Sequence, residues 1–248
     1  LIHTILLYFQ FFTAIPINYS ISQAEVKLKK GVIYLPLFAF IYGGILAFIF
    51  VLSRFLFSPS IAWILLILMD VLLTRGFHYD ALADTADGLL SSKKADEMVR
   101  IMKDPAIGAN GALILILISL LTYVVGKEIL ETSNLNEMLV VLAWAASGRC
   151  ILPLLFFHLV YVGDNPRGLG SSFLGVANWR VWASQCLSMA LYAFLGRQYL
   201  LAYLIILPIV LIYRHFVNQQ IGGMTGDTMG AAVMIGQVIY LLILVIQL

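Results

Sequence analysis

Charge is what this sequence has least of. Only 11% of its 248 residues are Asp, Glu, Lys or Arg, against 62% hydrophobic, where an ordinary soluble domain carries about 25% and 45–50%. So little polar sequence cannot cover a soluble globule of this size, which excludes a soluble enzyme and a disordered chain. Cysteine is also scarce. Cys150 and Cys186 both lie in apolar runs with no CxxC or Cys/His spacing, so a disulfide scaffold and a thiolate metal site are excluded, and both are expected to be small buried hydrophobes. No Lys or Arg precedes Lys27, so no charged start of a secretory signal is expected. The net charge of +2 is too small for a nucleic-acid partner. Internal repeats and low-complexity tracts are absent.

What is present is a series of continuous apolar runs, at about 32–52, 55–73, 111–126, 138–161, 181–196, 199–213 and 229–248. They do not alternate as barrel strands would, and in lipid only helices satisfy their own backbone groups. The expectation is an all-α polytopic transmembrane bundle of about seven spans, one integral membrane domain over residues 1–248, with lipid as a partner. The stretch 1–17 is short and ends at Pro16, so it reads as a partial span or an interfacial segment.

The polar connections are unequal. Residues 75–104 hold 11 of the 28 charged residues. If runs 32–52 and 55–73 form a hairpin, residues 18–31, 75–104, 162–180 and 214–230 fall on one side. That side carries eleven Lys or Arg, the other three (Arg54, Lys127 and Arg197). By the positive-inside rule the polar side is cytoplasmic, so the chain is expected in the cytoplasmic membrane with its site facing the cytoplasm.

The densest polar feature is Gly76-Phe77-His78-Tyr79-Asp80-Ala81-Leu82-Ala83-Asp84-Thr85-Ala86-Asp87-Gly88. On a helix, acids at i, i+4 and i+7 share one face within about 60°. Their like charges repel, and no Lys or Arg stands three or four residues from Asp84 or Asp87 to relieve them. A bound cation would. Oxygen-only ligands suit Mg²⁺ or Mn²⁺, which bridge carboxylates to substrate phosphates. Asp80, Asp84 and Asp87 are therefore the first candidate metal ligands and catalytic residues, with His78 beside them. The competing reading is a solvated acidic helix face.

Four further features qualify. Gly222-Gly223-Met224-Thr225-Gly226-Asp227 precedes the last run, and its glycines allow close approach to a ligand. Gly223, Thr225 and Gly226 are candidate substrate contacts. Asp227 is a weaker metal candidate or a helix cap. Arg167, among glycines at 165–170, is a candidate phosphate clamp or an anchor on the positive side. Arg149 lies within a run, where a charge costs roughly 2.5–3.5 kcal/mol, so it should face a wet cavity or an acidic partner, and with Arg167 it is a candidate phosphate contact. Lys103, Asp104 and Asn110 close the acidic stretch; Lys103 and Asn110 are candidate substrate contacts, and Asp104 reads equally as a metal-side residue or a cap. Aromatic residues read as packing and interfacial belts, and Asp70 as reaching the interface.

These residues fit a metal-dependent membrane phosphotransferase. A cation-coupled transporter is the alternative, but it expects acids inside spans and a repeated half. An intramembrane aspartyl protease fails because Met224 stands where its second motif needs Gly.

The acidic motif strongly resembles the signature of the cobalamin synthase (adenosylcobinamide-GDP ribazoletransferase) family. Phe12-Thr13-Ala14-Ile15-Pro16, Met102-Lys103-Asp104 with Gly108 and Gly111, Arg167-Gly168-Leu169-Gly170 and Gly222 to Ala231 are similar to its other motifs in order and rough spacing. Ala81 replaces a more usual Gly, and Asn110 stands where the pattern has His. The resemblance implies a Mg²⁺-dependent, multi-pass inner-membrane enzyme. It would join adenosylcobinamide-GDP to α-ribazole or its 5′-phosphate, giving adenosylcobalamin or its 5′-phosphate and GMP. It implies small-molecule partners and leaves an oligomer open.

Overall fold

The computed structural model describes residues 1–163 and 170–247. Among them the chain is helical, and its one β element is an isolated bridge between Tyr161 and Met224. Eleven α-helices follow in order: α1 Ile2–Phe12, α2 Ala24–Gly31, α3 Leu35–Arg54, α4 Pro59–Thr74, α5 Phe77–Leu89, α6 Ala95–Ile101, α7 Ala109–Thr132, α8 Glu137–Leu155, α9 Asn178–Leu195, α10 Arg197–Ile221 and α11 Gly226–Ile246.

Among the described residues five helices are long and apolar enough to cross a membrane: the continuous α2–α3 segment Ala24–Arg54, then α7, α8, α10 and α11. A sixth is reached if α4 and α5 count as one span bent by 87°. Seven runs were expected, and the difference has two sources. α4 has only 16 residues, short of the roughly 20 a straight span needs. α9 carries Asn178, Arg180, Ser184, Gln185 and Ser188, which dilute its apolar character. α1, at 11 residues, is too short to cross alone.

α8 is the axis of the bundle. Every residue from Ala143 to Phe156 is buried, enclosed by α3, α9, α10 and α11. Small residues let the backbones meet, as membrane helix packing requires. A Cβ on Gly43 would lie 2.7 Å from the Leu142 carbonyl oxygen, and one on Gly148 2.3 Å from that of Val233. Large apolar side chains such as Phe48, Leu68, Leu72, Ile116, Leu120 and Ile212 point outward, the composition of a lipid-facing surface. Cys150 is buried as expected, but Cys186 is exposed on the outer face of α9.

Contacts between distant segments sort the connections into two ends. At one end Arg180 donates to the Lys30 carbonyl, Lys103 pairs with Asp227, and Arg214 donates to the Phe157 carbonyl. At the other, Arg54 pairs with Glu137 at 2.9 Å and Ser60 donates to Glu131 at 2.7 Å. The four richer connections thus gather at one end of the bundle.

Candidate active site

The acid-bearing helix α5 is aimed by a sharp turn. Arg75 and Gly76 both adopt left-handed backbone, φ 54° and 68°, which glycine takes without strain. The chain bends there and lays α5 against α7 and α11. The crossing is close, since a Cβ on Gly230 would come within 2.5 Å of the Ala81 methyl. Ala81, where the family pattern has Gly, is accommodated because its neighbour across the crossing is itself a glycine. On the other side the Ala14 N–H donates to the Leu73 carbonyl at 2.6 Å, docking the segment after α1 onto the end of α4 and bringing Phe11 and Phe12 to α5.

Two cavities flank α5 at this end and share Phe11, Phe12, Phe77 and Asp80 in their walls. The first encloses about 1040 Å³ of empty space, open mouth included; Phe156, Phe173 and His78 line it, with Lys103, Gly226 and Asp227. The second encloses about 1520 Å³ on the same measure and is lined by Tyr79, Asp80, Asp84 and the loop residues Pro105 and Ile107. Asp80 is exposed and stands at the junction.

The three acids of the motif are used differently. Asp84 is half-buried among the like charges of Asp80, Asp227 and Asp87, with Lys103 as the opposing cation. Asp87 accepts from the Gly108 N–H at 2.7 Å and the Gly111 N–H at 2.8 Å, one on each carboxylate oxygen. Those amides are at the start of α7, where unpaired N–H groups and the helix dipole favour an anion. Asp87 thus ties α5 to α7. Asp227, in the first turn of α11, is paired with Lys103. The cap of α11 is Thr225, whose hydroxyl accepts from the Thr228 N–H at 3.1 Å while the Thr228 hydroxyl accepts from the Thr225 N–H at 2.9 Å.

Several expected site residues are elsewhere. Thr225 is fully buried and occupied by that cap. Gly223 packs under Val160, whose carbonyl oxygen a Cβ would meet at 2.7 Å. Gly226 does face the first cavity. Asp104 is exposed and accepts from the Ala106 N–H at 2.9 Å within its own loop. It and Asn110 line neither cavity. Arg167 lies outside the described residues.

Arg149 is the clearest correction. It is completely buried, donates to Asp70 at 3.1 Å and to the Ala145 carbonyl at 2.9 Å, and its guanidinium lies 4.1 Å from the Tyr42 ring centroid. The Tyr42 hydroxyl donates to the same Asp70 oxygen at 2.6 Å. Arg149 therefore has an acidic partner inside the bundle and does not line the cleft. Asp70, read as reaching the interface, is buried at 2% exposure.

Among the described residues no three His, Cys, Asp or Glu side chains converge as a ready-made cage, so the five expected ligands do not form one set. Mg²⁺, however, is commonly held by one or two carboxylates completed by water and substrate phosphate. Asp80 and Asp84 meet that description: hard oxygen donors one turn apart, both on the second cavity, with Asp84 among the like charges of Asp80, Asp227 and Asp87 against Lys103, and with Arg75 on the same lining.

The aromatic wall was missed in the sequence. Phe11, Phe12, Phe77, Phe156 and Phe173 come from separate segments, and composition alone cannot distinguish them from belt aromatics. The available signal was Phe12 and Phe77 lying inside motifs.

The sequence model of a family described as cobalamin-5-phosphate synthase matches residues 4–245. The chain is 40% identical to a protein of Listeria monocytogenes serotype 4b (strain F2365), over 98% of this chain and 97% of that one. It is 36% identical to one of Clostridium novyi (strain NT), over 97% and 95%, and 34% identical to one of Caldanaerobacter subterraneus subsp. tengcongensis, over 92% and 91%. All three are named adenosylcobinamide-GDP ribazoletransferase. No solved structure matches the chain.

Proposed function

The chain belongs to the cobalamin-5-phosphate synthase family, and from that premise we propose that it is an adenosylcobinamide-GDP ribazoletransferase whose chemistry takes place where the two cavities meet at Asp80. The reaction is a displacement at phosphorus. A ribose hydroxyl of α-ribazole, or of its 5′-phosphate, attacks the phosphorus joined to the cobinamide side, and the bond to GMP breaks. A product that keeps its 5′-phosphate requires a ribose hydroxyl other than the one at 5′ as nucleophile.

The observation that carries this reading is the junction itself: one exposed carboxylate between an aromatic cavity and an acidic one, with a lysine alongside. Displacements of this kind are catalysed mostly by positioning and charge neutralisation. Lys103 offers its ammonium to a phosphate oxygen, and Asp227 fixes where that ammonium sits. Asp80 and Asp84 are the residues that would hold Mg²⁺, and the ion, when bound, would supply charge neutralisation for the phosphates and the departing GMP. A carboxylate of this cluster not occupied by the metal would take the proton of the attacking hydroxyl. Asp87 and Thr225 keep α5, α7 and α11 in register beneath them.

A cation-coupled transporter needs an ion site inside the membrane. The carboxylate in the middle of the bundle, Asp70, already has Arg149 and Tyr42 as partners, so that alternative gains no support.

The test is turnover by the purified protein: adenosylcobinamide-GDP and α-ribazole should release GMP with Mg²⁺ and lose that activity with a chelator. No GMP under either condition would refute the reading. The eleven-to-three Lys/Arg distribution supports a site facing the cytoplasm across the cytoplasmic membrane. In a variant lacking Cys150 and Cys186, Ser92→Cys should be protected from a membrane-impermeant thiol reagent in intact cells and labelled after lysis. Labelling before lysis would reverse the orientation.

A further inference from the structure

The proposed reaction brings two heterocyclic bases to the enzyme, guanine and the base of α-ribazole. We propose that the aromatic cavity binds the second, an apolar bicyclic dimethylbenzimidazole, with His78 Nε2 hydrogen-bonded to the ring nitrogen not attached to ribose. The assignment rests on the ribazoletransferase reading of the site and adds to it which substrate part lies where.

The walls are aromatic rings packed on one another. Phe156 and Phe173 stack with centroids 4.2 Å apart and planes 4° from parallel. Phe11 presents its edge to Phe173 at 5.8 Å and to Phe77 at 6.3 Å. Such surfaces take a planar aromatic guest by stacking or edge contact. His78 is part of the lining, its ring stacked 6.0 Å from that of Phe12 with planes 16° apart. It is 2% exposed, and its Nε2 is buried with no hydrogen-bond partner. A buried polar atom left unpaired requires an explanation, and a ligand atom is one.

The choice between bases follows from hydrogen-bond inventory. Dimethylbenzimidazole in its riboside carries one free acceptor nitrogen and is otherwise apolar. Guanine carries a carbonyl, an amine, a ring N–H and further ring nitrogens. Among the phenylalanines the first base gives up least on leaving water, whereas guanine's donors would have to reach Asp80 or Asp227 elsewhere on the lining. One orphaned histidine nitrogen matches the single acceptor of the first base. The polar groups are also placed for a riboside: Asp80, Lys103 and Asp227 border the same cavity, so a base held among the rings leaves its ribose hydroxyls toward Asp80.

The experiment measures binding of 5,6-dimethylbenzimidazole, 5,6-dimethylindole and GMP to the purified full chain by calorimetry, alongside steady-state kinetics. The benzimidazole should bind saturably and undisplaced by GMP. The indole, lacking the acceptor nitrogen, should bind at least tenfold more weakly. His78→Phe, which keeps an aromatic ring against Phe12, should erase that difference and raise the KM for α-ribazole about tenfold with the KM for adenosylcobinamide-GDP unchanged. Displacement by GMP, no binding of the benzimidazole, or a KM effect on adenosylcobinamide-GDP instead would overturn the assignment. Should His78→Phe not fold, Phe173→Leu must weaken the benzimidazole while sparing GMP, and the wild-type competition still decides. Normal turnover with no His78 effect would sink the cavity assignment alone. A His78-dependent benzimidazole site in a protein that releases no GMP would sink the reaction alone.

Discussion

Two groups of charges sit a few turns apart in this molecule, and they differ in what remains unpaired. In the bundle core Asp70, Arg149 and Tyr42 pair with one another: the carboxylate accepts from both, and the guanidinium also donates to Ala145 and lies over the Tyr42 ring. Beside the cavities, Asp80, Asp84 and Asp227 gather near Lys103, with Arg75 on the wall of the second cavity. The first group is closed to ligands because it is buried in the bundle and borders neither cavity, although Arg149 Nε has no hydrogen-bond partner there. The second retains an excess of negative charge next to empty space. An intramembrane charge is thus a functional candidate only after its partner is known; Arg149 had the isolated charge that suggests a site, and a partner 79 residues away in sequence that removes it.

The largest expected effect tests the closed group. Arg149→Met leaves Asp70 buried without its cation, and breaking such a pair costs about 3–5 kcal/mol. The purified variant should show a strongly lowered Tm. Asp70→Leu combined with Arg149→Met should recover much of the loss, since an apolar replacement of a buried pair is often neutral. A wild-type Tm in the single variant, with turnover abolished, would move Arg149 back into the site and remove the contrast between the groups.

The next effect tests the open group. Asp84→Asn keeps size and most hydrogen bonding but removes charge where the proposed Mg²⁺ is held. Turnover should fall at least a hundredfold, about 2.7 kcal/mol in the barrier, with the Mg²⁺ dependence shifted to higher concentration. The Tm without metal should be equal or slightly higher, because like-charge repulsion along α5 is relieved. Near-normal turnover at an unchanged Mg²⁺ requirement would mean that the acids are a solvated face.

The contrast also marks how far sequence reading reaches here. The helical membrane class follows from composition and unbroken apolar runs, because lipid leaves the backbone few options. The position of α5 and its acids is legible because i, i+4, i+7 spacing is a local property. Span count is less so: the turn at Arg75 and Gly76 divides a polar-ended run into two helices, and Gln185 of α9 finds its partners in Cys150 and Tyr203 of other helices. Pairings across the bundle are not legible at all. Thr225 looks like a loop contact until Thr228 is seen to complete its cap, and Phe156 and Phe173 look like belt residues until the fold stacks them in one cavity.

Asp87 lies on the boundary of the comparison and carries the smallest expected effect. By spacing it belongs with Asp80 and Asp84. By geometry it belongs with the closed group, since each carboxylate oxygen already accepts an N–H at the start of α7. In Asp87→Asn one oxygen still accepts, but the other position becomes an NH₂ group facing a donor, and the negative charge at the helix N-terminus is gone. A charge-assisted hydrogen bond is worth about 1.5–3 kcal/mol and the helix-end charge about 0.3–1 kcal/mol. Because the group is half-buried and one bond survives, a net loss of about 1–2 kcal/mol is expected. The variant should therefore melt modestly lower and turn over within about tenfold of wild type (about 1.4 kcal/mol), at an unchanged Mg²⁺ requirement. Gly111→Ala should have a similar structural effect, because a Cβ there would lie 2.4 Å from the same carboxylate. A hundredfold fall in turnover for Asp87→Asn at unaltered Tm would instead place all three acids in the chemistry, and the division between helix-tying and substrate-facing carboxylates would fail.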